Sequence, residues 1–344
     1  MMKDIKDLSL EELEFFIGRL GKERYRARQI MKWLYRRGAS SFDEMTDLAK
    51  DLRAELGRTS RISSLELLNL ERSGDGTRKY LFGLEDSNRI ESVLIPDGGR
   101  LTLCISTQIG CAMGCRFCLT GMSGFARDLT CGEVLNQLAG VINELDTDEQ
   151  ITNCVLMGMG EPLANYDRVK QALEIMASDV GFGFSRRRIT LSTVGLIPSM
   201  KRLFAEKVPC RLAISLNATT QKVRAYLMPI SKQYPLSSLL ASCRTLSLPP
   251  RERITFEYVL IQGVNDSEGD AKKLTQILRG IRCKVNLIPF NEFEGTAFRR
   301  PQENVVLLFQ KILMEAGYTT IIRESRGGDI SAACGQLRGR ITGS

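Results

Sequence analysis

Apolar residues follow two rhythms along this chain, and the changes between them divide it into three regions. Up to about residue 60 the spacing is helical. Ser9 and Glu12, placed before an apolar run, make a capping-box pattern, and Ser41 with Glu44 repeats it. Between them, in KERYRARQIMKWLYRRG, Tyr25, Ile30, Met31, Leu34 and Tyr35 fall near one helical face, with Gly38 placed to end the helix. Arg24, Arg28, Lys32 and Arg36 fall on the other face, which suits either solvent or a phosphate backbone. Residues 61–100 change to the two-residue rhythm of strands, broken by the turn signals SGDG and EDSN. This predicts a small antiparallel hairpin or meander leading into the main domain.

From residue 101 short apolar strands alternate with helical patterns. The strands are LTLCIS, NCVLMGMG, RITLST, RLAISL, RITFEYVL and KVNLIP. Six strand–helix repeats predict parallel strands in an α/β fold, a partial (β/α)6 barrel, since a full barrel would need eight. The expected division is a helical accessory domain at 1–60, a β-hairpin linker at 61–100 and the partial barrel at 101–344. Working residues in such folds sit at the C-terminal ends of strands. Residues 111–118 follow the first strand, GMGEP ends the second and NAT follows the fourth, so several motifs are expected on one rim.

Composition narrows the chemistry. At 344 residues and 43% hydrophobic, the chain has enough apolar surface for a substantial core. It has no apolar run of membrane-spanning length, and its acidic, amphipathic start lacks the apolar stretch of a secretory signal. The expected location is the cytoplasm, with no membrane partner. In a reducing compartment the ten cysteines read as metal ligands, catalytic thiols or buried apolar residues rather than disulfide staples. There is no histidine, which excludes Cys/His zinc sites, histidine bases and histidine triads. A net charge of +8 mildly favours a polyanionic partner.

Three cysteines, Cys111, Cys115 and Cys118, lie in eight residues as C-x3-C-x2-C. Soft thiolates select zinc, copper(I) or iron–sulfur clusters. Structural zinc and ferredoxin-type clusters each want four ligands. Cys104 sits on the preceding strand, apart from the triplet. Three thiolates on a cubane leave one iron open to a small molecule, the reading that best suits this spacing; zinc and plain buried thiols are the alternatives. Cys131, Cys154, Cys210, Cys243 and Cys283 match no motif and read as small apolar residues.

The triplet, on a loop after the first strand of a β/α pattern, resembles the radical S-adenosylmethionine (SAM) superfamily. That resemblance implies a 4Fe–4S cluster on Cys111, Cys115 and Cys118, with SAM on the open iron. GMGEP, with Gly160 and Glu161, resembles the superfamily's motif for the methionine amino group of SAM.

A closer resemblance covers nearly the whole chain. GDGTRKYLF, IESVLIP, CISTQIGCAMGCRFC, ITNCVLMGMGEPLAN, GFGFSRRRITLSTVG, LAISLNA, KVNLIPFN and RGGDISAACGQL are similar, in order and spacing, to the RlmN family of dual-specificity RNA methyltransferases. The family methylates C2 of an adenosine in 23S rRNA and in some tRNAs. Carbon C2 has no lone pair with which to attack SAM, so a radical route is needed, and the cofactor supplies it.

The resemblance implies that Cys334 first takes a methyl group from one SAM. A second SAM on the cluster then yields the radical that activates this methyl for addition to C2, so two SAM are used per turnover. It implies that Cys104 resolves the resulting protein–RNA crosslink through a transient disulfide with Cys334, and that Glu91 takes the C2 proton. Ser192, Ser215, Leu216, Asn217 and Asn291 align with SAM-binding positions. An external one-electron donor of flavodoxin type and action as a monomer are also implied. The family usually has histidine where this chain has Asn217, and Asn217→His is expected to retain activity. The competing readings are a sister family that methylates C8 of the same adenosine, a non-enzymatic iron–sulfur RNA-binding regulator, and a radical SAM enzyme acting on protein or metabolite.

Overall fold

The first helix begins where its capping box lies. The structure, a computed structural model, describes residues 2–339. The Ser9 hydroxyl accepts from the Glu12 N–H while the Glu12 carboxylate accepts from the Ser9 N–H, and the helix Leu10–Arg19 follows. The helix Arg26–Arg36 buries Ile30, Met31, Leu34 and Tyr35. Tyr25 precedes it and is exposed, with the Arg26 guanidinium 4.6 Å from its ring. At Ser41 the box forms but starts only a 3-10 turn, Phe42–Glu44, and the third helix, Lys50–Thr59, comes later.

Part of the basic face packs against the rest of the chain. Arg28 pairs with Asp179 at 3.1 Å and Arg36 donates to the Asp179 carbonyl. Tyr35 packs on Phe182 with ring centroids 5.2 Å apart. Arg24 and Lys32 remain exposed.

Ten strands form one sheet whose spatial order is the sequence order. β1 (Glu66–Arg72), β2 (Arg78–Gly83), β3 (Arg89–Asp97) and β4 (Arg100–Cys104) pair antiparallel in turn. This is the expected meander, and the β3–β4 pairing carries it directly into the main sheet. Parallel pairing then runs from β4 through β5 (Asn153–Leu156), β6 (Ile189–Thr193), β7 (Arg211–Ser215), β8 (Ile254–Leu260) and β9 (Cys283–Pro289). These six strands match the six apolar runs. A seventh parallel strand, β10 (Thr320–Ile322), is too short at three residues to show a period. Among the described residues β1 and β10 stand at the two ends of the series.

Helices make the crossovers that parallel strands require, for example Cys131–Asn143 before β5 and Glu303–Glu315 before β10. Covered on both faces, β8 and β9 are buried almost throughout. Cys131, Cys154, Cys210, Cys243 and Cys283 are buried, as small apolar residues should be, and all ten cysteines are free thiols. Among the described residues no helix is long and apolar enough to cross a membrane. Because β4 to β10 are parallel, their C-terminal ends share one edge, and the loops beyond that edge build the site.

Candidate active site

A cavity opens at this edge. Cys111, Cys115 and Cys118 line one part of it, on the loop between β4 and the helix Leu119–Met122. A two-stranded hairpin, Gln108–Gly110 with Phe125–Asp128, closes the base of that loop. The Cys111 N–H donates to the Gly124 carbonyl at 2.7 Å, and the Arg116 N–H donates to Leu227. Cys104, the last residue of β4, and Cys334, near the C-terminus, line the same cavity. Cys104 is 8% exposed, and burial pushes its thiol up to about 12, with Cys334 adding to the rise. Cys334 is open to the cavity, yet the surrounding walls desolvate its thiol and push it up to about 11.

Gly160 and Glu161 line the cavity after β5. A Cβ at Gly160, whose φ is +104°, would lie 2.6 Å from the Gln108 Cβ, and one at Gly158 would lie 2.7 Å from the Ile105 oxygen. Glycine here lets two loops of the chain touch. Glu161 accepts from the Leu163 N–H at 3.0 Å and the Val194 N–H at 2.8 Å. Burial nevertheless raises its carboxyl to about 7. Ser192, Ser215 and Asn291 stand on the wall at the ends of β6, β7 and β9. Asn291 donates to the Cys334 carbonyl at 3.2 Å, so this part of the wall also touches the thiol segment.

Asn217 lines the cavity, but its side chain also serves the backbone. Its Oδ1 accepts from the Val259 N–H at 2.8 Å, and its φ is +56°. Asparagine and histidine both tolerate this left-handed region better than most residues, so an Asn217→His replacement suits this backbone.

Two of the residues singled out do not line the cavity. Leu216 is fully buried behind the wall. Glu91, on β3, is 3% exposed and lies under the C-terminal segment. Its Oε2 accepts from the Arg338 N–H at 2.7 Å and the Gly339 N–H at 3.2 Å, and Lys79 stands 3.9 Å away. Desolvation raises its carboxyl above the usual range.

Sequence reasoning missed three residues of this wall and its backing. Glu257, on β8, lines the cavity; its Oε1 accepts from Asn286 at 2.9 Å while its Oε2 has no partner among the described residues. A glutamate inside the apolar run RITFEYVL was a legible signal, because acids are rarely buried without a role. Arg323, just beyond β10, also lines the cavity. Arg224 is completely buried behind it. Its guanidinium donates to the carbonyls of Val194 at 2.7 Å and Leu216 at 3.3 Å, and more weakly to Ser215 and Tyr234. Burial lowers its pKa to about 10, with Cys115 acting the other way.

The residues fit an iron–sulfur cluster. Three soft donors lining one part of a single cavity suit a cluster in which each thiolate takes its own iron. Burial pushes Cys111 up to about 12 and Cys115 well above the usual thiol range, so thiolates there need cationic partners. Arg224, whose hydrogen bonds among the described residues all go to carbonyls, leaves a buried positive charge that Cys115 feels and that an anionic thiolate cluster would balance.

Residues 105–274 match the family profile of the radical SAM superfamily, and residues 3–62 match the ribosomal RNA large subunit methyltransferase N-terminal domain. Fold and site together define a radical SAM enzyme. The structure superposes on a radical SAM methyltransferase from Sphaerobacter thermophilus with a TM-score of 0.92 at 43% identity, covering 98% of this chain and 100% of that one. The dual-specificity RNA methyltransferase RlmN of Geobacter sulfurreducens is 56% identical over 340 residues, covering 99% of this chain and 93% of the relative. That of Pelobacter propionicus is 54% identical over 338 residues, covering 98% and 96%. The chain belongs to the RlmN family of radical SAM RNA methyltransferases. Membership implies a 4Fe–4S cluster and SAM.

Proposed function

We propose that this enzyme methylates C2 of an adenosine in 23S rRNA and in some tRNAs through a methyl group carried on Cys334, using two SAM per turnover. The observation that carries this reading is that Cys334 and Cys104 line the same cavity as the Cys111, Cys115 and Cys118 triplet. Cys111, Cys115 and Cys118 hold the cluster, and Gly160, Glu161, Ser192, Ser215, Asn217 and Asn291 shape the SAM side of the cavity. When bound, the cluster would supply the electron that splits SAM, and the deoxyadenosyl fragment would leave as 5′-deoxyadenosine carrying one hydrogen of the Cys334 methyl.

Cys334 sulfur first exchanges its proton for the methyl of SAM. It then presents that carbon to C2, and the addition links protein to RNA. Glu91 takes the C2 proton. For that role the N–H groups of Arg338 and Gly339 must first leave its carboxylate. Cys104 sulfur, losing its proton, attacks Cys334 sulfur; the Cys334 S–C bond breaks, the freed carbon takes a proton to become the methyl on C2, and an external donor of flavodoxin type supplies the electrons that reduce the resulting disulfide. The protein acts in the cytoplasm as a monomer. Nuclease digestion of RNA modified by the purified enzyme tests the reading: the added methyl is expected at adenosine C2, and a methyl at C8 would assign the chain to the sister activity.

The N-terminal region, residues 1–60, is proposed to dock the RNA. It shares one hydrophobic core with the rest of the chain, so its deletion would unfold more than a docking surface. Charge reversal is the cleaner test. Arg24→Glu with Lys32→Glu is expected to weaken RNA binding about tenfold at moderate salt and to flatten its salt dependence, since each lost phosphate contact removes roughly one counterion. SAM cleavage without RNA should not change. Unaltered RNA binding would remove this face from the interface.

A further inference from the structure

The turn between β1 and β2 and the segment that carries Cys334 grip each other through a reciprocal exchange of hydrogen bonds. Asp75, in that turn, has its Oδ2 accepting from the Gly327 N–H at 2.9 Å. Asp329, in the segment, accepts in return from the Ser73 hydroxyl at 2.6 Å and from the Gly74 N–H at 3.1 Å. Each aspartate thus satisfies backbone of the other's loop, across 252 residues of sequence in the first case. Lys79, just inside β2, adds a bond to the Ile330 carbonyl at 2.6 Å.

The two loops meet through backbone rather than through adaptable side chains. Gly327 has a φ of +64°, and a Cβ there would lie 2.9 Å from Thr77 Cγ2 and 2.8 Å from Ala332 Cβ. The Ala332 N–H returns to the Gly327 carbonyl at 2.8 Å, and Cys334 follows two residues later. Beyond the thiol, the Gly335 carbonyl accepts from the Leu119 N–H at 2.8 Å, one residue after the last cysteine of the triplet. The thiol therefore sits between two attachments, the β1–β2 turn on one side and the cysteine loop on the other.

We infer that the Asp75–Asp329 exchange is a positioning device, which sets where Cys334 sits relative to the cofactor and the incoming base. The inference rests on the reading of Cys334 as the methyl carrier and deepens it. Neither aspartate lines the cavity and both are exposed, so neither meets the reacting atoms. Their effect acts through the thiol's location, and a displacement of about 1 Å at a reacting centre costs roughly a hundredfold in rate. The simpler role for Asp75 is to shape its own turn, where its Oδ1 accepts from the Thr77 N–H at 2.9 Å. Asp329 separates the two roles, because replacing it leaves that local bond intact.

The test uses full-length enzyme loaded with its cluster and purified without oxygen. In one reaction, RNA methylation and 5′-deoxyadenosine release are measured together, with the methyl occupancy of Cys334 read by peptide mass. Asp329→Ala is expected to lower kcat for RNA methylation about tenfold or more while KM for SAM stays unchanged. Deoxyadenosine should continue to form, so its ratio to methylated RNA rises. Asp329→Asn keeps a carbonyl acceptor for the Gly74 N–H and should recover most of the coupling. Ser73→Ala, which removes one bond and no charge, should shift the ratio the same way by less. A ratio in Asp329→Ala and Ser73→Ala equal to that of the unaltered enzyme, whether or not overall activity falls, overturns the inference. Unaltered enzyme that methylates RNA while Cys334 never carries a methyl overturns the reading beneath it, and the inference with it.

Discussion

Replacing Cys334 by alanine is expected to abolish methyl transfer to RNA while SAM is still cleaved to 5′-deoxyadenosine. The cluster ligands are untouched, and the side chain is open to the cavity rather than packed in the core. An exposed substitution of this kind changes stability by about 0.5 kcal/mol or less. The protein should therefore fold, hold iron and bind SAM, with only the methyl carrier missing. Separate measurement of deoxyadenosine and of methylated RNA checks this, and methylated RNA from the alanine variant would refute the carrier role. The partner variant, Cys104→Ala, should stop one step later. With no thiol to attack Cys334, the protein–RNA crosslink should accumulate and survive denaturing electrophoresis. Its absence would show that another group resolves the adduct.

Replacing Cys115 by alanine is expected to abolish both activities. Cys115 is 7% exposed and packs with Leu227, Met228, Ile261 and Phe290 at the cavity wall. Without its thiolate a cluster has two protein ligands, and Arg224 loses a group able to balance its buried charge. Iron content should fall with the visible absorption of the cluster, and SAM cleavage should stop. A variant that retains full iron and cleaves SAM would show that Cys115 is not a ligand.

The site was legible where its chemistry is local in sequence. The triplet lies within eight residues, and its spacing already implied three soft donors on one loop. The six apolar runs were legible because parallel strands buried on both faces are nearly continuous in apolar residues. β10 was not, because three residues between a helix and a polar loop carry no period. Arg224 was illegible for a different reason. In QKVRAYL it reads as an ordinary helical arginine, and only tertiary packing turns it inward onto four carbonyls. Glu91 shows the converse. Alternation along β3 alone would leave it a solvent-facing polar position, whereas the C-terminal segment folds over it and supplies two N–H donors. Aspartates more than 250 residues apart exchange bonds at the β1–β2 turn, and no local pattern announces such a contact.

The central claim is that Cys334 carries the methyl group, and the mass of the peptide containing Cys334 tests it most directly. The protein should be produced with a full supply of cluster, purified without oxygen and digested. The account predicts one added methyl group on Cys334, absent when either Cys334 or a cysteine of the triplet is replaced. An unmodified Cys334, in protein that holds an intact cluster and has been supplied with SAM, would contradict it.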